Sequence, residues 1–163
     1  MWYNQTMENS TIFPKQQPSG VHKILAHSYS MHLILFLAGV VLDVVFRFKI
    51  FEHPVLLPTG AFFLAFGSVL ILWAQSTSRH LDIGSVTKET FLHGPYRFTR
   101  TPTNFGLLFL SLGFGIVANA LFVILTSFAA FFIAKLIFLK KQEQILADKY
   151  GVPYLEYKKS VKF

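Results

Sequence analysis

The stretch "HGPYRFTRTPTNFG", residues 93 to 106, collects two arginines, two prolines, two glycines and a histidine in a chain otherwise made of long apolar runs. Arg97 and Arg100 lie three apart and aim donors at a carboxylate or phosphate. Tyr96, Phe98 and Phe105 offer flat surfaces for an aromatic base. Gly94 and Pro95 force a turn, Pro102 forbids a regular helix before it, and Gly106 lets the backbone pack closely as the next apolar run begins. A second polar stretch, "KKQEQILADKYG" over 140–151, has helical spacing, carries the acid Glu143 and ends at Gly151, a C-terminal cap. On spacing alone, binding a small charged aromatic ligand competes with a simpler reading, a juxtamembrane loop whose arginines touch lipid phosphate.

The loop resembles the glycine, proline, tyrosine, arginine loop and the Arg-His-Pro-x-Tyr-x-Gly motif of the isoprenylcysteine carboxyl methyltransferase family, which is related to the phospholipid N-methyltransferases. "QEQILADKYGVPYLEYKKSVKF" is similar to that family's Glu-Glu-x-x-Leu segment and its closing (Phe/Tyr)-Gly-x-x-Tyr-x-x-Tyr pattern. The resemblance runs from about residue 72 to the end. It implies an integral membrane methyltransferase that uses S-adenosylmethionine without a soluble nucleotide-binding domain and acts on an isoprenylcysteine-like carboxylate, a thiol, an amine or a lipid headgroup. It also implies a cofactor site made by a strand-like approach (Lys88, Glu89, Thr90, Phe91), the turn with Tyr96 and Arg97, the segment Thr101, Pro102, Thr103, Asn104, and the pair Gln142 and Glu143. Arg100 and Glu143 are its expected catalytic residues. The chemistry suits such a pocket: the cofactor presents a carboxylate, an ammonium, a ribose diol, an adenine and a sulfonium. Methyl transfer is an in-line displacement that depends on alignment and exclusion of water.

This sequence departs from the family pattern at four places. The motif histidine is Thr101, the motif tyrosine is Asn104, the first glutamate of the pair is Gln142, and the basic residue four positions earlier is Phe138. Gln142 retains hydrogen bonding to a ribose hydroxyl or adenine, and Asn104 replaces a phenol as donor. Two other readings stay open. One is a degenerate family member serving as a membrane scaffold. The other is a sterol-reductase-like enzyme using a nicotinamide cofactor, disfavoured because Leu107, not an acid, follows the final glycine of the loop.

Positioning these residues requires helices in lipid. Hydrophobic residues make up 53% of the 163, aromatic residues 17% and charged residues 14%, more apolar surface than a soluble core of this size absorbs. The spacing predicts an all-α integral membrane protein with four transmembrane helices and a C-terminal helix, and the resemblance makes the cytoplasmic loop a cofactor loop. The spans are expected at about 28–46, 55–75, 104–118 and 120–139, the last two forming a hairpin that breaks near Ala118 and Asn119. Residues 1–24, rich in Asn, Gln, Ser, Thr and Pro, read as a mobile tail, leaving 25–163 as the membrane domain. With four spans, thirteen of the fifteen Lys and Arg fall on one side and only Arg47 and Lys49 on the other, which places both termini and the site in the cytoplasm. The net charge of +7 is explained by this bias and by anionic headgroups, so nucleic acid is not an expected partner. The absence of cysteine excludes disulfides, zinc thiolate sites and thiol nucleophiles.

Other candidates read as structural. Asp43 is expected to pair with Arg47, one helical turn away and far from the loop. His32 is expected at the interface; His22, His27, His53 and His80 lack ligand spacing, and His93 belongs to the loop. Lys135 is expected to snorkel toward headgroups. Gly113 and Gly115 are expected to mark close helix packing.

Overall fold

The computed structural model describes residues 20–49, 56–79 and 87–161. The expected tail over residues 1–19 lies outside these residues, as do Lys15, His53, His80 and Lys162. Residues 20–24, assigned to that tail, are the first turns of α1 (Gly20–Phe46). There follow α2 (Leu57–Arg79), the short α3 (Lys88–Phe91), a 3₁₀ turn (Gly94–Arg97), α4 (Pro102–Val117), α5 (Leu121–Ile133), a π-turn (Ala134–Phe138), α6 (Leu139–Tyr150) and α7 (Val152–Ser160).

Three helical stretches are long and apolar enough to cross a bilayer: Ala26–Phe46, Leu57–Ser78 and Leu121–Tyr150. Large apolar side chains such as Leu33, Ile34, Val44, Phe62, Val69 and Leu72 stand exposed on the outer faces of the first two. Water would reject this much apolar surface and hydrocarbon accepts it. The fourth expected span, α4, has 16 residues. At 1.5 Å per residue it measures roughly 24 Å, against a hydrocarbon thickness of about 30 Å.

Glycines set how α4 lies. Gly60 stands opposite Gly113 and Gly67 opposite Gly106, so α2 and α4 run antiparallel with their backbones nearly touching. A Cβ on Gly67 would stand 2.7 Å from both the Gly106 carbonyl oxygen and the Leu110 amide nitrogen, closer than any side chain permits. Stacked rings of Phe63 and Phe109 fill the flank of this seam. Gly115, by contrast, packs toward Ile124 within the hairpin.

The hairpin turns where expected. Asn119 adopts φ 53°, the left-handed conformation that asparagine tolerates. The Ala120 N–H donates to the Gly115 carbonyl at 2.8 Å and the Asn119 N–H to the Ile116 carbonyl at 3.2 Å, the paired bonds of a Schellman motif.

Asp43 does not hold Arg47 as expected. Its two carboxylate oxygens accept the backbone N–H groups of Phe122 at 3.0 Å and Val123 at 2.8 Å. The first amides of a helix lack partners of their own and carry its positive end, so they draw the carboxylate away from an arginine that reaches water instead. This contact pins the end of α1 to the start of α5. The end of α1 and the α4–α5 hairpin therefore share one end of the bundle. The 87–101 loop, α6 and α7 occupy the other.

The helix beginning at α5 continues into α6 through the π-turn, in which the Leu139 N–H reaches the Ala134 carbonyl. The inward stripe Val123, Ser127, Ala130, Ala134 follows ordinary helical spacing. Two regular turns onward from Ala134 would bring Lys141 inward. The extra residue in the π-turn advances the stripe by one, so Gln142 and Glu143 are buried while Lys140 and Lys141 stay exposed. Gly151, at φ 61°, ends α6 with its N–H on the Ala147 carbonyl at 2.8 Å and redirects the chain into α7, a helix not anticipated from the sequence.

Candidate functional site

The 87–101 loop is built by local bonds. Lys88–Phe91 forms a helical turn rather than the expected strand-like approach: no partner strand is at hand among the described residues, and Thr87 and Thr90 close the turn themselves, the Thr87 N–H donating to the Thr90 Oγ1 at 3.1 Å. His93 places its ring Nδ1 2.8 Å from the Glu89 carbonyl oxygen. Gly94 follows at φ 57°, with Thr77 and Trp73 of α2 crowding the place a Cβ would take. Pro95 is buried in the turn and Pro102 is buried as the first residue of α4.

The C-terminal segment folds back onto this loop. Phe91, Tyr154, Tyr157 and Val161 form a buried cluster flanked by Tyr96, Leu146 and Tyr150. The Phe91 ring packs against Tyr150, Tyr154 and Tyr157 at centroid distances of 5.3, 5.5 and 5.4 Å. Phe91, expected to face a cofactor, is thus committed to holding α7 on the loop. Phe105 is likewise engaged, edge-on to Phe131 at 5.0 Å, and Phe98 projects outward at 70% exposure. The Tyr157 hydroxyl donates to the Tyr96 carbonyl at 2.9 Å.

Above this cluster sits a charged network. Arg100 Nη1 pairs with Glu143 Oε1, and Lys158 Nζ approaches Glu143 Oε2 at 2.8 Å. The Glu143 side chain is 9% exposed, Arg100 16% and Lys158 43%. Burial pushes the hydroxyls of Tyr154 and Tyr157 well above the ordinary tyrosine range. The Glu143 charge adds to the rise in both, and Arg100 opposes it. Both phenols therefore stay neutral at physiological pH.

Beside the network, Gln142 is buried and its Nε2 has no hydrogen-bond partner among the described residues. A buried amide N–H without an acceptor costs free energy, which a ligand offering an acceptor recovers. Asn104 is also buried, on the first turn of α4. On the membrane side, the Tyr96 hydroxyl lies near the hydroxyls of Ser78 of α2 and Thr103 of α4, and that of Tyr29 of α1 lies near the same Thr103. Burial raises the Tyr96 hydroxyl above its usual value, nearby Tyr29 adds to the rise, and the Ser78 and Thr103 hydroxyls oppose it.

Of the expected site residues, the fold brings together Tyr96, Arg100, Thr103, Gln142 and Glu143, with Thr101, Pro102 and Asn104 on the connecting segment. Arg97 and Glu89 are exposed, while Lys88 and Thr90 are half-buried on the outer turn. Compared with protein families, with characterised proteins and with solved structures, the chain finds no match in any of the three.

Sequence reasoning missed Lys158, Tyr29 and His32. Lys158 directly follows Tyr157 in the tyrosine-rich ending, a usable signal once that ending is known to be helical. Tyr29 gave none, because a lone tyrosine near a span end reads as an interfacial anchor. His32, expected at the interface, is only 5% exposed and lies within the protein. Its ring faces inward because Ser28, His32, Gly39 and Asp43 share the stripe of α1 that packs on α5.

Proposed function

We propose that the protein is a multi-pass membrane methyltransferase that uses S-adenosylmethionine and modifies a membrane-borne acceptor, an isoprenylcysteine-like carboxylate or a lipid headgroup. The observation that carries this reading is the buried Gln142 amide, lacking an acceptor, beside the Arg100–Glu143–Lys158 network. Together these residues offer what the donor presents to a protein: an amide for ribose or adenine, a carboxylate for an ammonium, and cations for a carboxylate. When bound, the cofactor supplies a methyl group on a sulfonium. The chain's own part is to bind and orient. Gln142 would donate to the nucleoside, Glu143 and its two cations would hold the amino-acid end, and the α7 cluster would keep water away.

The same reading makes α4 the fourth crossing. It runs the length of α2 through the paired glycines, and the missing thickness is absorbed by local thinning or by polar ends reaching into the headgroups. The loop, α6 and α7 would then sit at the cytoplasmic face, where thirteen of the fifteen Lys and Arg gather.

A scaffold role is the second reading. It is favoured by the engagement of both Glu143 oxygens within the chain and by Thr101 and Asn104 at motif positions. Titration calorimetry of the detergent-solubilised protein with S-adenosylmethionine and S-adenosylhomocysteine separates the two. Binding of either, followed by transfer of a labelled methyl to a membrane component, supports the enzyme; binding of neither rejects it.

A further inference from the structure

We propose that His32, through its Nε2, is a contact for the polar head of the methyl acceptor, at a subsite on the membrane side of the loop where α1 meets the π-turn. This inference rests on the methyltransferase reading and adds the acceptor's place to it.

His32 is 5% exposed, and its Nε2 is buried without a hydrogen-bond partner among the described residues. Inside a membrane span such a group has no water to turn to, so leaving it unpaired costs free energy. A purely structural imidazole would have been given a carbonyl or hydroxyl. Phenylalanine, abundant in this chain, would fill the same space without the cost.

The surroundings locate the imidazole under the site. Tyr29, three residues earlier, lies near the Thr103 hydroxyl, which also lies near Tyr96 of the loop. Residues three apart on a helix share a face, so His32 lies about one turn deeper than this hydroxyl group. Asp43 opposite Val123, and Gly39 against Val123 and Thr126, fix the antiparallel register of α1 on α5. Continued along the helices, that register carries His32 to the level of Ile133 and Ala134, where the π-turn begins. α1 packs against the π-turn and against α6. The turn that swings Gln142 and Glu143 inward therefore starts beside the imidazole. One orphaned nitrogen, on Gln142, lies on the loop side and the other, on His32, deeper along the span. A donor bound at the first and an acceptor head at the second would approach from opposite sides, as in-line transfer requires.

The occupant must be a hydrogen-bonding head on an apolar chain, because the imidazole lies within the hydrocarbon-facing length of α1 and the acceptor must arrive through lipid. Two probes carry that chemistry from different sources: N-acetyl-S-farnesylcysteine, with a carboxylate, and phosphatidylethanolamine vesicles, with an amine. Methyl transfer to each is measured with the wild type, His32→Phe and His32→Gln, alongside S-adenosylhomocysteine affinity and thermal stability without acceptor. For the probe that the wild type methylates, His32→Phe is expected to raise KM at least tenfold with kcat changed far less, and His32→Gln to restore most of it. S-adenosylhomocysteine affinity should stay within twofold. The Tm of ligand-free His32→Phe should equal or exceed that of the wild type. An unchanged KM overturns the proposal, as does a Tm loss above 5 °C, which would mean the imidazole is bonded within the fold. Cofactor binding without transfer to either probe overturns it while sparing the cofactor site. Absence of S-adenosylhomocysteine binding by the wild type overturns the parent reading as well.

Discussion

Arg100, in the loop before α4, and Glu143, on α6, are 43 positions apart in sequence and ion-paired in the fold. The pair joins the two polar segments of an otherwise apolar chain, and Lys158 of α7 completes it from the other carboxylate oxygen.

The three members should not matter equally. Removing one partner of a largely buried pair strands a charge and costs about 3–5 kcal/mol. A half-exposed lysine is screened, and its loss costs about 1 kcal/mol or less. Glu143→Gln and Arg100→Met are therefore expected to lower Tm and weaken S-adenosylhomocysteine binding at least tenfold, whereas Lys158→Met changes Tm only slightly and weakens binding less than tenfold. Thermal shift and calorimetry on the three variants check the order.

Asp43 is as well bonded as Glu143 but sits at the opposite end of the bundle. Asp43→Ala removes both acceptors from the first amides of α5, a capping loss of about 1–2 kcal/mol. It is expected to reduce Tm and to leave S-adenosylhomocysteine affinity within twofold. A large loss of affinity would place the site elsewhere.

Gly67 and Gly115 provide a matched pair. A methyl at Gly67 meets backbone atoms of α4 at 2.7 Å, which cannot move aside, whereas a methyl at Gly115 meets the Ile124 Cγ1 at 2.7 Å, a branched side chain that has to shift, with the nearest backbone atom 3.4 Å away. Gly67→Ala is expected to reduce the yield of folded protein severely, and Gly115→Ala to fold with a lowered Tm. Size-exclusion profiles in detergent distinguish the outcomes.

Tyr157 links α7 to the loop through its hydroxyl. Its folded pKa, like that of Tyr154, lies above the free value of 10.0. The neutral phenols thus contribute fully to stability below about pH 10, and that contribution declines as pH rises through their higher folded values. Tyr157→Phe should cost about 1 kcal/mol near pH 8, from the lost bond to Tyr96. It should also make the decline between pH 10 and 12 shallower than in the wild type. Melting curves across that range measure both.

Apolar runs announced three long helices, and the Ala118–Asn119 break was readable because asparagine is one of the few residues that accept a left-handed turn. The Gly151 cap was readable for a related reason, since glycine bears that conformation without strain. What escaped were relations between distant segments. Asp43 chose the amides of α5 over Arg47, one turn away, because free helix amides outcompete a solvated guanidinium. Lys88–Phe91 closed as a helical turn because a threonine pair could bond locally. Phe105, whose ring suited a nucleobase, was claimed by Phe131, and Phe91, expected in the approach to the cofactor, by tyrosines of α6 and α7. The site's acid and arginine were visible as residue types, yet their pairing depended on α7 and on a π-turn that leaves no mark in residue chemistry.

That π-turn is itself open to test. Ile137 is half exposed within it and its side chain is dispensable to the buried cluster. Deleting Ile137 takes out the extra residue: the α5–α6 helix then runs regularly and Gln142 becomes the seventh residue after Ala134, the inward phase it already holds. The deletion is therefore expected to keep Gln142 and Glu143 buried and S-adenosylhomocysteine affinity within twofold. Inserting one alanine after Leu139 instead rotates everything after it by about 100° relative to the inward stripe. Glu143 would then take the phase now held by the exposed Gln144, and Arg100 would lose its partner. Both variants are expected to leave the hairpin, the α2–α4 seam and the helical circular dichroism signal intact. With the insertion, S-adenosylhomocysteine binding should fall below detection, and Tm should drop by an amount comparable to that of Glu143→Gln. Binding retained by the insertion variant would mean that the loop and α7, rather than the phase of α6, hold the site together.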